Sequence, residues 1–381
     1  MFDFDQVIAR RDTESAKWGK YPADVLPMWV ADMDFAVAPS ITDALCRRLE
    51  QPVFGYGAAT NELRDVIVAR MHSLYQWTIS PDDIVFLPGI EPGVNMALKA
   101  LLAPQDAVMV QLPVYRPLLK APVHWGMRRI DLGFIAEGEG YRIDFDAFRC
   151  AANRAKAFLL CNPHNPLGKV FSPTELTQMA EACLSSDTIV ISDEIHCDVL
   201  FDGWRHYPIA SLDRAIADRS VTLMAASKTF NIAGLKTAFA IIPNPEIRAL
   251  VGDARMGMVD SVNILGLTAT QAAFATAEDW AREMRTYLQA NRDYLSDAVT
   301  SRLKGVSMKK PEGTFLAWLD CSALPLDGAP EAYFLEYGKV ALSAGTEFGP
   351  MGENHVRLNF GCPRAILEDG IQRLEKSLKH L

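Results

Sequence analysis

Five groups of residues in the middle of the chain have types suited to chemistry, and each follows a short apolar run. After Ile84–Leu87 comes Pro88-Gly89-Ile90-Glu91-Pro92-Gly93, a turn that opens a helical pattern. Free backbone N–H groups and the helix dipole at such a point favour a phosphate. Tyr115, just after Ala107–Leu112, offers an aromatic face for stacking. After Ala157–Leu160, the string Asn162-Pro163-His164-Asn165-Pro166-Leu167-Gly168 is a turn-dense loop bearing amides. Asp193-Glu194-Ile195-His196 follows Thr188–Ile191, and Ser227-Lys228 follows Val221–Ala226. Taken singly, each has an ordinary structural role: Gly89–Gly93 as a plain turn, Asp193 as a helix N-cap, His196 and Tyr115 as packing residues, Lys228 as a surface lysine. Their succession at consecutive strand ends is what points to a site, because open α/β sheets bind ligands beyond the carboxyl ends of their strands.

A phosphate cradle, a stacking aromatic, an amide, a carboxylate and a lysine together match the needs of pyridoxal phosphate. Its aldehyde requires an amine, and burial lowers a lysine pKa so that the free amine is available. Its ring nitrogen requires a carboxylate to stay protonated, and its phenolate oxygen a hydrogen-bond donor. A nicotinamide site would require Gly-x-Gly-x-x-Gly after the first strand, and the sequence has neither that motif nor a Gly-x-x-x-x-Gly-Lys-Ser/Thr loop.

The elements that must position these groups are legible in outline. The runs above, with Thr237–Ile242, are largely apolar on both faces, as buried parallel strands are. Helical patterns lie between many of them, among them Gly93–Leu102 and Pro173–Leu184, the latter with Ser172 as N-cap and Pro173 at the first helical position. Strands alternating with helices predict an α/β sheet. Further on, Trp280, Met284, Leu288, Leu295, Val299 and Leu303 fall at helical spacing within Glu278–Leu303. A helix of that length suits a spine between two lobes. Phe315–Leu319, a Gly/Pro-rich loop around Gly345–Gly352, and Val356–Phe360 then form a smaller α+β pattern. The first ~45 residues are irregular and are expected to wrap onto the smaller lobe or a partner subunit.

Composition narrows the function classes. With 381 residues the chain is long enough for two or three domains, and stability requires no disulfide or structural metal. Its 38 basic and 47 acidic residues give a net charge of −9, which argues against a nucleic-acid partner. No apolar run approaches the ~18 residues of a membrane helix, so no membrane partner is expected. The opening Met1-Phe2-Asp3-Phe4-Asp5 is acidic where a signal peptide would be basic, from which a cytoplasmic protein is expected. Seven scattered cysteines without a Cys-x-x-Cys pair, and no His-x-x-x-His, give no metal site.

From end to end the chain resembles the fold-type I pyridoxal-phosphate enzymes, and more narrowly the MalY/PatB branch of cystathionine β-lyases and cysteine-conjugate C–S lyases. The resemblance is carried by Lys17-Trp18, Leu26-Pro27-Met28-Trp29-Val30-Ala31-Asp32-Met33-Asp34-Phe35, Val53-Phe54-Gly55-Tyr56, Asn162-Pro163-His164-Asn165-Pro166, Ser192-Asp193-Glu194-Ile195-His196, Ala226-Ser227-Lys228-Thr229-Phe230-Asn231-Ile232-Ala233-Gly234-Leu235 and Val356-Arg357-Leu358-Asn359-Phe360. It implies an aspartate aminotransferase-like α/β fold: a large domain with a mostly parallel seven-stranded sheet (48–277), a smaller α+β domain (278–381), and an N-terminal segment (1–47) joined to the latter. It implies that Lys228 carries the cofactor, Asp193 pairs with the ring nitrogen, Asn162 donates to the phenolate oxygen and Tyr115 stacks on the ring. Ser227 and the backbone of Gly89, Ile90 and Glu91 would bind the phosphate. Tyr56 would reach the phosphate of a neighbouring subunit, making a homodimer with shared sites. Arg357, with Ala31 and Asn162, would hold the amino-acid substrate, Arg357 by a bidentate grip on its carboxylate. His196 agrees with the lyase branch, aspartate aminotransferases carrying Tyr there. Lys236 stands where those relatives carry Arg and is expected near the phosphate, whereas Glu91 is an unusual neighbour for one. The implied activity is α,β-elimination from L-cystathionine or related cysteine S-conjugates to pyruvate, ammonia and a thiol. An aminotransferase shares every residue named here, and a regulator that binds a transcription factor is a third reading.

Overall fold

The computed structural model describes residues 2–381. Its large sheet has eight strands, numbered here in chain order: β1 (Ile84–Leu87), β2 (Ala107–Leu112), β3 (Arg128–Glu137), β4 (Gly140–Ile143), β5 (Ala157–Cys161), β6 (Ile189–Asp193), β7 (Ser220–Met224) and β8 (Ala238–Ile241). They lie in the order β1-β8-β7-β6-β5-β2-β3-β4. The five strands from β7 through β3 run parallel, while β8 is antiparallel to both β7 and β1. Every residue of β2, β5 and β7 is buried, which is why these strands read as continuous apolar runs.

The sheet has one strand more than the expected seven. β3 runs ten residues, beyond the register in which Leu112 faces Gly133, and its end folds back through Gly138 (φ 52°) to pair antiparallel with β4. Both strands escaped the sequence pattern because β3 is mostly exposed or half-buried and only Phe134 in it is fully buried.

Helices cover both faces. Leu87, Val94, Leu98, Val108, Leu118 and Ile191 share one core, with the helices Ile90–Leu101 and Arg116–His124 above it. Phe148, Phe158, Leu176, Met179 and Val190 form another beneath, under the helices Phe145–Ala152 and Pro173–Ser185. The second of these starts as its sequence requires. Ser172 Oγ accepts from Glu175 N at 3.2 Å, Glu175 Oε2 accepts from Ser172 N at 2.9 Å, and Pro173 occupies the first turn. Gly93 lets the helix Ile90–Leu101 press onto the sheet, since a Cβ there would sit 2.6 Å from Leu223 Cδ2.

The long helix spans Glu278–Arg302, 25 residues, and buries Trp280, Met284, Leu288, Leu295 and Val299. These pack with Phe315 and Leu358 of a four-stranded antiparallel sheet (Ser307–Met308, Leu316–Asp320, His355–Asn359, Ser343–Ala344). Phe4, Leu26, Met28, Met33, Phe35 and Ile41 belong to the same core. Leu26–Pro27 also pairs in parallel with Val340–Ala341. The buried Asp34 carboxylate fixes the N-terminal segment further, accepting from Arg10 and Lys17 at 2.6 Å each and from Trp18 Nε1 at 2.7 Å. Among the described residues no helix is long and apolar enough to cross a membrane.

Candidate active site

A cleft of about 670 Å³ lies at the carboxyl ends of the parallel strands, walled on its other side by residues 29–31, Ser343, Glu347, Phe348 and Arg357. It gathers Gly89, Ile90, Glu91, Tyr115, Asp193, His196, Ser227, Lys228, Lys236, Ala31 and Arg357 from the sequence-expected set. Two expected residues are elsewhere. Asn162 is 1% exposed and does not line the cleft; its Nδ2 donates to the Tyr207 carbonyl at 3.2 Å instead. The amide that does line the cleft belongs to Asn165, three positions on in the same string. Tyr56 is 99% exposed on the surface of the single chain.

Lys228, in the turn after β7, donates from Nζ to the Ala31 carbonyl at 2.6 Å. Burial, with help from the Arg357 charge, pushes its amine down to about 8. The carboxylates of Asp32, Asp193 and Glu91 act in the opposite sense. The carbonyl is aimed by its neighbours: Asn359 Nδ2 donates to Val30 O and Asp32 O at 2.6 and 2.7 Å, and Asn231 Nδ2 donates to Met33 O at 3.0 Å.

Asp193 closes β6 and is 4% exposed. Its carboxyl is pushed up to about 7, chiefly by burial, against the lowering effect of the Ile195 N–H donor at 3.2 Å and of Lys228. A buried carboxylate so placed is stabilised by any further cation or N–H donor that enters the cleft. Burial, Lys228 and Arg357 together hold His196 well below the ordinary histidine range, so its imidazole is neutral. Its ring packs edge-on to Phe315 at 5.7 Å.

Arg357 comes from the strand His355–Asn359 of the smaller sheet. Its Nη1 donates to Asn165 Oδ1 at 3.0 Å, and its Nη2 to the Trp29 carbonyl at 2.8 Å and Ser343 Oγ at 3.2 Å. The guanidinium lies 4.9 Å from the Phe348 ring, and burial lowers its pKa to about 10. No carboxylate pairs with it within ion-pair distance among the described residues, which leaves a buried cation aimed into a cleft. Sequence reasoning assigns no role to Asn165, Ser343 and Phe348, and reads Trp29 only as an aromatic near the site. Asn165 and Trp29 have a visible signal, as parts of the Asn-Pro-His-Asn-Pro and Leu26–Phe35 strings, while Ser343 stands in an unremarkable stretch.

Tyr115 Oη donates to Glu91 Oε1 at 2.7 Å, and burial with that carboxylate raises the phenol above its ordinary value. The bond turns the Glu91 side chain toward Tyr115, leaving the helix N-terminus at Gly89 and Ile90 open to the cleft. Ser227 and Lys236 line the cleft as well. The donor set therefore fits pyridoxal phosphate: a poised amine, a buried carboxylate for a ring N–H, an aromatic face, and a helix N-terminus for a phosphate.

Residues 23–374 match the family described as aminotransferase class I and II, and the chain belongs to that family. Among its relatives is the cystathionine beta-lyase PatB of Bacillus subtilis, 38% identical over 99% of this chain and 100% of the relative. The structure of cystalysin from Treponema denticola, which contains pyridoxal 5'-phosphate, superposes with a TM-score of 0.96 at 30% identity, covering 100% of this chain and 99% of that one. A PLP-bound C–S lyase from Staphylococcus hominis gives a TM-score of 0.93 at 31% identity, covering 99% of both chains.

Proposed function

We propose that this protein is a pyridoxal-phosphate-dependent carbon–sulfur β-lyase. It would convert L-cystathionine and water to pyruvate, ammonia and L-homocysteine. The observation that carries this reading is the convergence of Lys228, Asp193 and Arg357 on one cleft from three separate elements. Relatives named cystathionine beta-lyase and C–S lyase support it.

When bound, the cofactor supplies an electron sink that stabilises negative charge at the substrate Cα. Arg357 grips the substrate carboxylate, and its bonds to Asn165, Trp29 and Ser343 hold the fork in one orientation. Lys228 removes the Cα proton as a neutral amine and then protonates the departing sulfur. A pKa of about 8 suits both tasks near neutral pH. With the cofactor bound, Asp193 would keep the ring nitrogen protonated and Tyr115 would offer its ring for stacking. The N–H groups at Gly89, Ile90 and Glu91, with Ser227 and Lys236, would take the phosphate. Asn165 is the amide best placed for the phenolate oxygen, while the Asn162 backbone N–H donates to the Asp193 carbonyl at 2.9 Å.

The exposed Tyr56 is assigned to the phosphate of a second copy, so the active unit is a homodimer with shared sites. Each protomer is divided into 48–277 and 278–381, with residues 1–47 assigned to the latter.

Pyruvate release from L-cystathionine by the cofactor-loaded protein, without any 2-oxo acid, tests the reading. Pyruvate with an equal amount of homocysteine is expected. Turnover only when a 2-oxo acid accepts the amino group would make the protein an aminotransferase instead.

A further inference from the structure

The side chain of Glu91 has no task in the reaction just described, which uses only its backbone N–H. It is an exposed carboxylate in the first turn of the helix Ile90–Leu101, where a bound phosphate would repel it, yet it lines the cleft. Its one side-chain hydrogen bond in the structure is the 2.7 Å contact from Tyr115 Oη, which swings the carboxylate away from the helix end. Its backbone is occupied separately, with the Glu91 carbonyl accepting from Asn95 Nδ2 at 2.8 Å. The charge of Glu91 is nonetheless felt at both Lys228 and Asp193. A carboxylate of this kind, held open at the side of a substrate cleft, has spare acceptor positions facing whatever extends beyond the reacting carbons.

At the same cleft, Arg116 and Glu347 stand 61% and 49% exposed, with Arg116 Nη1 3.9 Å from Glu347 Oε1. These two are loosely matched to each other, whereas Glu91 has only the neutral phenol. Beyond Lys228, Asp193 and Arg357, the charged lining of the cleft is thus Glu91 and Glu347 with Arg116 and Lys236.

We propose that Glu91 is a specificity determinant that selects cysteine S-conjugates whose leaving thiol carries an ammonium or another cationic nitrogen. This rests on the lyase reading above. Arg357 binds the α-carboxylate and Lys228 works at Cα, so the S-substituent must extend toward the remaining lining, which includes Glu91 and Tyr115. A neutral alkyl chain there desolvates the carboxylate without return, whereas a cationic nitrogen replaces the lost water with a charge-assisted bond. The distal half of cystathionine, itself an amino acid, carries such an ammonium. Discrimination by one charged hydrogen bond corresponds to roughly 10-fold or more in kcat/KM.

The test compares S-(2-aminoethyl)-L-cysteine with its uncharged near-isostere S-propyl-L-cysteine, following pyruvate release by the holoenzyme and its Glu91→Gln variant. Wild type should prefer the aminoethyl substrate. In Glu91→Gln the ratio of the two kcat/KM values should fall ~10-fold, mostly through KM of the cationic substrate. In Glu91→Lys the preference should move to S-carboxymethyl-L-cysteine. A ratio unchanged in both variants overturns the assignment of Glu91 while leaving the lyase intact. No pyruvate from the three substrates when L-cystathionine is cleaved overturns this proposal alone, and no pyruvate from L-cystathionine either removes the lyase reading with it.

Discussion

Arg357 Nη1 lies 3.0 Å from Asn165 Oδ1, a bond that joins the loop after β5 to the smaller sheet across 192 positions of sequence. It couples the two halves of the cleft. Under the proposed function, the residue that would grip substrate is aimed by the loop that also presents the cleft amide. Ser343 Oγ, which donates to the Trp29 carbonyl at 2.8 Å, ties the third wall into the same network.

Arg357→Lys should therefore lose more than a point charge. The planar fork bonds three partners, and an ammonium cannot grip a carboxylate bidentately. We expect kcat/KM to fall on the order of 100-fold, largely through KM, with a smaller loss for Asn165→Ala. Steady-state kinetics on L-cystathionine decide it, and wild-type KM in Arg357→Lys would count against the assignment.

Lys228 has its amine pushed down to about 8 from an ordinary 10.5. Because the neutral amine is the reactive form, its population grows as pH rises and is half-complete near pH 8. The rate at which apoprotein takes up pyridoxal phosphate, followed by absorbance, should rise with pH and level off above that point. A rate still climbing steeply through pH 10 would mean an unperturbed lysine. Lys228→Ala should fold normally and release no pyruvate.

Asp193 titrates near 7 in the folded apoprotein and near 3.8 when unfolded. Between those values the folded state binds more protons, so stability falls as pH rises through that window. Asp193→Asn removes the buried charge. Its apoprotein should be more stable than wild type at pH 8, on the order of a few kcal/mol, and no more stable at pH 4. Thermal melts at the two pH values measure this. The same variant should lose activity by more than ~100-fold, because nothing then holds a proton on the ring nitrogen.

Tyr56 can be tested by complementation between protomers. In a mixed dimer of Lys228→Ala and Tyr56→Ala, one of the two sites has both residues intact. Mixing the two inactive variants after partial unfolding and refolding should restore pyruvate release. No recovery, with dimers present by light scattering, would show that each site is complete within one chain.

Much of this was legible in the amino-acid sequence, and for a physical reason. β2, β5 and β7 are buried on both faces, so their apolar runs are continuous, and the chemical residues follow directly after them. Ser172, Pro173 and Glu175 mark a helix start through local hydrogen bonds, which depend only on neighbours in sequence. The positions of Lys228 and Asp193 in the cleft follow from the same order of strand ends, and that of Arg357 from the family strings alone. What escaped depended on partners far away in the chain. β3 and β4 form an exposed edge whose pairing leaves no apolar signature. Asn162 and Asn165 are indistinguishable as amides in one string, and only the distant Tyr207 carbonyl and the Arg357 fork decide which is spent on packing and which faces the cleft. The depressed amine of Lys228 arises from burial beneath residues 29–31, which lie nearly two hundred positions earlier. Residue type and spacing determined which chemistry is possible, and tertiary packing alone decided which atoms are desolvated and aimed, because both depend on neighbours that local sequence does not contain.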